Sequence, residues 1–235
     1  FKQSIVLQMT RLVSRTPLTP NTITVLSLFI GIVAIPLYLD ASYTSVVIAG
    51  AILFTNNLFD ILDGQIARMK FRFSPFGERL DNLIDGTLNV LILAPIGIGL
   101  HKSTGHVHWE IMGWVGSAGS LSYLLMVEYY SWRKGLSGYS TNMQFFYRLN
   151  KDGEPKKPPV HTAPKEGIRR YLAPKYFMRK DFLFTMYLVF GFFGLHMVPF
   201  SLMVAGSLEY GLISWVQVLF FHDRIRFAGT HKGSV

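Results

Sequence analysis

The sequence predicts an all-α polytopic membrane protein: six transmembrane helices preceded by an N-terminal interfacial amphipathic helix. Three observations carry this expectation. Half of the 235 residues are hydrophobic and only 16% are charged, and the apolar residues fall in runs of membrane-spanning length, about 20 residues each. The basic residues behind the net charge of +9 lie between those runs, which argues against nucleic acid as the partner. Four of the fourteen acidic residues, Asp60, Asp63, Asp81 and Asp85, gather where two apolar runs meet. With no cysteine, the chain has neither disulfides nor thiolate metal sites.

Residues 1–18 form the first unit. Ile5, Val6, Met9, Leu12 and Val13 alternate with Lys2, Gln8, Arg11 and Arg15, as in an amphipathic helix lying on an anionic leaflet. A soluble linker helix is the alternative. The chain starts at Phe1 rather than methionine, so the natural protein is expected to extend upstream.

Residues 19–235 form the six-helix membrane domain. Thr19-Pro20-Asn21 opens the first span, which runs to about Leu39; Pro suits a first helical turn, and the free N–H groups there attract anions. Asp40 and Ser42 mark a turn. The second span covers about 43–62 and delivers Asp60 and Asp63. Residues 69–76 are a basic, aromatic connector with a turn at Ser74-Pro75. The third span starts near Gly77 and ends about Leu100. Residues 101–109 carry three histidines at a spacing that fits no common ligand pattern, so a solvated polar loop is expected. The fourth span covers about 110–131, with Glu128 near its inner end read as an interfacial glutamate near Arg133 and Lys134; contact with substrate is the other reading.

Residues 132–180 are the one long polar stretch, a basic cytoplasmic loop whose Pro-rich centre at 154–164 cannot be a continuous helix. Residues 182–221 hold a single charge, Glu209. They are too long for one span and should divide near 194–199 into a fifth and a sixth helix, with Glu209 turned to the interior or a polar cavity. Six spans put both termini on one side with the 62–79 connector and the 132–180 loop. That side holds all of the 23 Lys and Arg residues except Lys102, which places it in the cytoplasm.

The aspartates are the chemical centre. Asp60 and Asp63 share one helix face at spacing three, and Asp81 and Asp85 share another at spacing four. Two carboxylates about 5 Å apart repel by roughly 3 kcal/mol at an effective dielectric of about 20. The group must therefore be partly protonated or hold cations, and cations are the reading adopted. Gly64 and Ala67 leave room on the first face, Gly77 does the same before Asp81, and Arg68 offers a fork of donors to phosphate. Oxygen ligands favour hard ions such as Mg²⁺, Mn²⁺ or Ca²⁺.

The run Asp60-x2-Asp63-Gly64-x2-Ala67-Arg68-x8-Gly77-x3-Asp81-x3-Asp85 resembles the signature of the CDP-alcohol phosphotransferase family at every position. The resemblance implies a six-helix membrane enzyme, usually a homodimer, that moves a phosphate-linked alcohol from a CDP-alcohol to an acceptor hydroxyl and releases CMP. It implies two divalent ions, Mg²⁺ or Mn²⁺, with Asp60, Asp63 and Asp81 as ligands and Asp85 as both ligand and base. It also implies that Gly64, Ala67, Arg68 and Gly77 line the CDP site. Asn21 and Thr24, in a stretch similar to one that recurs at the family's nucleotide site, join them; capping and helix packing are the other reading. A membrane-integral protein with its site facing the cytosol, in the inner membrane of a cell, follows from the same resemblance and the charge count. The opening LVSRTPLTPNTIT resembles enzymes that join inositol phosphate units, of the di-myo-inositol phosphate phosphate synthase type, which points to a phosphorylated polyol; Arg133, Lys134 and the cluster at 168–180 are candidates for an acceptor phosphate, with a plain membrane-surface role preferred. A cation transporter is the rival from another class; the apolar character of spans two and three away from the cytosolic end argues against it.

Overall fold

A computed structural model of the protein describes residues 2–70, 75–133 and 180–221. All regular structure among them is helical: α1 (Lys2–Ser14), α2 (Pro20–Asp40), α3 (Tyr43–Met69), α4 (Pro75–Thr104), α5 (His108–Arg133), α6 (Lys180–Phe192) and α7 (Met197–Phe221). Among the described residues three helical stretches are long and apolar enough to cross a bilayer, Pro20–Asp40, Tyr43–Met69 and Arg79–Thr104. The expected basic loop at 132–180 and the tail after 221 lie almost wholly outside the described residues.

Local chemistry sets the first boundaries. Thr19 caps α2 by accepting from the Thr22 N–H, with Pro20 in the first turn. Ala41 ends α2 in the left-handed region at φ 61°, and its N–H donates to the Leu37 carbonyl. Ser42 then caps α3 by accepting from the Ser45 N–H. These two caps make α2 and α3 an antiparallel hairpin.

The remaining helices close a ring: α3 packs on α2, α2 on α4, α4 on α5, α5 on α7, α7 on α6, and α6 back on α3. Its core is aromatic and aliphatic, with Tyr38, Leu53, Leu88, Ile92, Ile96, Phe184, Tyr187 and Phe200 all buried. Close approach depends on missing side chains. A Cβ on Gly99 of α4 would sit 2.1 Å from the Tyr38 carbonyl oxygen of α2, so only glycine lets these backbones touch. Pro95 interrupts α4, and beside it the Ala94 N–H donates to Ser117 Oγ of α5 at 3.1 Å, which ties the two helices at the point where the ladder is weakest.

Helix α1 packs on α3. Val6 is buried with Ile23, Leu58, Leu62 and Ile66, and Ile5, Met9 and Val13 lie against the same cluster. Thr10 Oγ1 stands 2.7 Å from Gln65 Oε1, and Lys70 Nζ donates to the Thr16 and Leu18 carbonyls at 2.9 Å each. The apolar stripe of α1 is thus spent mostly on the protein, while Leu7 and Leu12 stay exposed.

Three expectations are corrected. The second span does not end near residue 62: α3 continues to Met69, because Gln65, Ala67 and Arg68 are good helix formers and Ile66 packs against α1's cluster. The histidine stretch is not a nine-residue loop. His101 lies in the last turn of α4 and pairs with Glu110 of α5, Nδ1 to Oε2 at 2.7 Å, leaving a short turn around Gly105 at φ 75°. Glu209 does not turn inward but is exposed. Met203, Gly206, Ser207 and Tyr210 take the face of α7 that borders a cleft, and helical rotation carries Glu209 to the other side.

Candidate metal and substrate site

Helices α3 and α4 meet at the aspartates. Oxygens of Asp60, Asp81 and Asp85 all lie within 4.8 Å of one another, and each residue is half-buried. At that spacing each like pair costs about 3 kcal/mol at an effective dielectric of about 20. Three convergent carboxylates without thiolate or imidazole make an all-oxygen donor set, which suits a hard divalent cation.

Asp63 is placed differently. It is buried, and its Oδ2 accepts from Thr24 Oγ1 of α2 at 2.6 Å. The structure thus joins Thr24 to the aspartates through Asp63, and sets Asp63 within reach of the charges of Asp60 and Asp85. Asn21 stands in the first turn of α2, half-buried. Further along the same seam Asn56 Nδ2 donates to the Ser27 carbonyl, and Ser27 Oγ to the Thr24 carbonyl at 2.7 Å. These bonds hold the start of α2 in register with α3.

On α3, Arg68 folds back one turn: its guanidinium nitrogens stand 3.7 and 3.8 Å from where a Gly64 Cβ would be. Arg68 is exposed, and Ala67 and Gly77 are half-buried. Gly64 leaves open the space beneath a cation, an arrangement that admits an anionic ligand against the backbone.

The other side of α4 borders a cleft of about 260 Å³ between α4, α5, α6 and α7. Asp85 lines it, so this residue belongs both to the aspartate group and to the cleft. Asn82 and Asn89 line the same wall, with Tyr123, Glu128 and Tyr210 opposite. The rings of Tyr123 and Tyr210 lie 5.6 Å apart, and Ser120 Oγ donates to Ser207 Oγ at 2.9 Å. Glu128 accepts from Arg79 Nε at 3.0 Å and pairs with its Nη2; Lys134 and the Arg133 side chain, expected near it, lie outside the described residues. Sequence reasoning missed this wall, because its residues come from helices with no shared motif. The one available signal was Glu128, a charge near the end of an apolar run.

Residues 17–140, a little over half of the chain, match the family described as CDP-alcohol phosphatidyltransferase, and the aspartate run lies inside the match. The bifunctional IPC transferase and DIPP synthase of Aquifex aeolicus is 30% identical over 138 residues, 58% of this chain and 30% of that protein. The archaetidylinositol phosphate synthase of Pyrococcus horikoshii is 32% identical over 127 residues, 53% of this chain and 59% of that protein. The chain therefore matches less than two thirds of the length of either relative. Its aspartates, their convergence from two helices and the extent of the match lead to one conclusion: the chain belongs to the CDP-alcohol phosphatidyltransferase family.

Proposed function

We propose that this protein is an integral-membrane transferase that moves a phosphate-linked alcohol from a CDP-alcohol to an acceptor hydroxyl and releases CMP. The observation that carries the proposal is the convergence of Asp60, Asp81 and Asp85 from two helices to within 4.8 Å. These residues, with Asp63, are the candidate ligands of two divalent ions, Mg²⁺ or Mn²⁺. Bound there, such ions would neutralise the diphosphate and the leaving CMP.

The chain's own residues divide the remaining work. Thr24 holds the Asp63 carboxylate by its 2.6 Å hydrogen bond. Arg68 presents donors to the diphosphate, and Gly64, Ala67 and Gly77 leave the backbone approachable, with Asn21 at the rim. Asp85, shared between the aspartates and the cleft, takes the proton of the acceptor hydroxyl as the new O–P bond forms and the bond to CMP breaks. This asks for hydrogen-bond reach of about 2.6–3.2 Å.

The membrane setting belongs to the same proposal: six spans, α1 at the interface with Leu7 and Leu12 exposed, the site and both termini facing the cytoplasm, and the inner membrane as location. A homodimer and a role in phospholipid or polar headgroup synthesis complete it. The name of one relative, archaetidylinositol phosphate synthase, supports a phosphorylated inositol among the substrates or products. The test is CMP release from a panel of CDP-activated donors and alcohol acceptors with Mg²⁺. Absence of CMP across the panel, from protein that is folded and binds Mn²⁺, would refute the reading.

A further inference from the structure

We propose that α1 is a lipid-sensing element for the transferase site. Its outward face, Leu7, Arg11, Leu12 and Arg15, takes an anionic bilayer surface, and its inner face passes that contact to the turn Gly64–Arg68 of α3, tightening the grip on the nucleotide. The inference rests on the transferase reading above and adds a regulator to it.

Helix α1 has 13 residues, short of the roughly 20 that a span needs. It lies level with the ends of the spans: Val6 is buried with Ile23 near the start of α2 and with Leu62 and Ile66 near the end of α3. One stripe of α1 is occupied by this cluster, and the opposite stripe is bare. Leu7 and Leu12 are 53% and 71% exposed, and Arg11 and Arg15 are exposed beside them. Residues 1–39 contain no acidic residue. Two leucines and two cations without a counter-charge in their own segment match the edge of an anionic bilayer, with apolar chains below and phosphates above. The 132–180 stretch adds cations that lie outside the described residues, and variants confined to α1 separate its share from theirs.

The end of α3 has two working faces. Asp60, Gly64, Ala67 and Arg68 share one, and Leu58, Leu62, Gln65 and Ile66 share the other. The second belongs to α1. Leu62 and Ile66 are buried with Val6, and Thr10, itself buried, meets Gln65. Thr10 Oγ1 has one hydrogen but stands 2.7 Å from both the Val6 carbonyl and Gln65 Oε1. Assigning the Gln65 amide with Nε2 toward Thr10 removes the conflict: the hydroxyl donates to Val6 and accepts from Gln65. This bond exists only while α1 is seated. Lys70 closes the same clasp on the Thr16 and Leu18 carbonyls. The turn that carries Gly64 and Arg68 is therefore backed at residues 65, 66 and 70. Lipid on the outer face keeps α1 seated, so α3 meets the nucleotide already ordered.

The experiment uses the full chain in lipid nanodiscs of phosphatidylcholine, alone or with about a third phosphatidylglycerol. The chain has no cysteine, so Gln8→Cys carrying an environment-sensitive dye reports on the outer face alone. CDP binding with Mg²⁺ is measured by calorimetry in the same discs. Anionic discs should shift the dye emission to the blue and tighten CDP binding about fivefold. An anionic surface by itself repels CDP, so its potential does not produce the tightening. Arg11→Gln combined with Arg15→Gln should abolish both effects and leave CDP binding in phosphatidylcholine unchanged, since each arginine at such a surface is worth about fivefold. Thr10→Val and Gln65→Met should keep the dye shift and lose the tightening, a split that general destabilisation does not give. Gln65 is half-buried, so Gln65→Met carries this arm if Thr10→Val does not fold. Dye emission indifferent to phosphatidylglycerol would overturn the inference and leave the face to a protein partner. Tightening that survives either set of variants would overturn it as well. If the dye responds as stated but CDP binds in neither disc, the transferase reading fails while the lipid-facing assignment of α1 stands. If CDP binds equally in both discs, this inference alone fails.

Discussion

Thr24 Oγ1 of α2 donates a 2.6 Å hydrogen bond to Asp63 Oδ2 of α3, and both residues are buried. One contact therefore couples the capped start of α2 to the aspartate group.

That contact predicts the behaviour of Thr24→Val. The buried carboxylate loses a donor, at a cost of about 1–3 kcal/mol. Thermal unfolding in detergent should shift down accordingly, and Mn²⁺ affinity should fall with it. Thr24→Ser should restore both. A Thr24→Val protein with wild-type melting and Mn²⁺ binding would show that the bond is idle.

Asp60→Asn, Asp81→Asn and Asp85→Asn should each weaken Mn²⁺ binding. CMP release should fall by about a hundredfold or more, since even groups that merely support a metal ligand are worth about 10–100-fold. Calorimetry on EDTA-treated protein checks the first effect. Activity lost to EDTA and regained with Mg²⁺ or Mn²⁺ checks the second. For Asp85→Asn, near-normal CMP release would remove the base assignment.

Two glycines should separate packing from ligand binding. Gly99→Ala places a methyl 2.1 Å from the Tyr38 carbonyl oxygen and should destabilise the protein by about 1–3 kcal/mol or more. Gly64→Ala meets nothing closer than the Arg68 guanidinium at 3.7 Å. It should keep the melting temperature and lower CMP release by about tenfold, or about 1.4 kcal/mol. Equal melting losses in the two variants would contradict this division.

Lys70→Met should loosen the turn between α1 and α2. The ammonium ties the Thr16 and Leu18 carbonyls, and such charged hydrogen bonds are worth about 1.5–3 kcal/mol. Trypsin cleavage at the exposed Arg15 should accelerate by about tenfold. An unchanged cleavage rate would mean that α1's apolar contacts with α3 hold the turn without Lys70.

The chain's all-helical nature, the cap at Thr19-Pro20, the break after Phe192 and the pairing of aspartates by helix face were all legible in the amino-acid order. So was the family, because Asp60 to Asp85 is one continuous run whose spacing alone encodes which residues share a face. The shared face of Gly64, Ala67 and Arg68 already implied that α3 runs past residue 62, but the packing of Ile66 against a cluster completed by α1 was hidden. The outward turn of Glu209 was also hidden, because a lone charge in an apolar run does not say which face its helix buries.

What the order of residues determined by itself is what depends on neighbours within one or two turns: helix ends, the faces of α3 and α4, and the carboxylates they carry. Only the tertiary structure decided that Thr24 meets Asp63, that Arg79 is held by Glu128, and that Asp85 serves both the aspartate group and a cleft. Those partners stand 39 and 49 residues apart. Contacts at that separation arise when helices close into a ring, and no local periodicity records which face of one helix will meet which face of another.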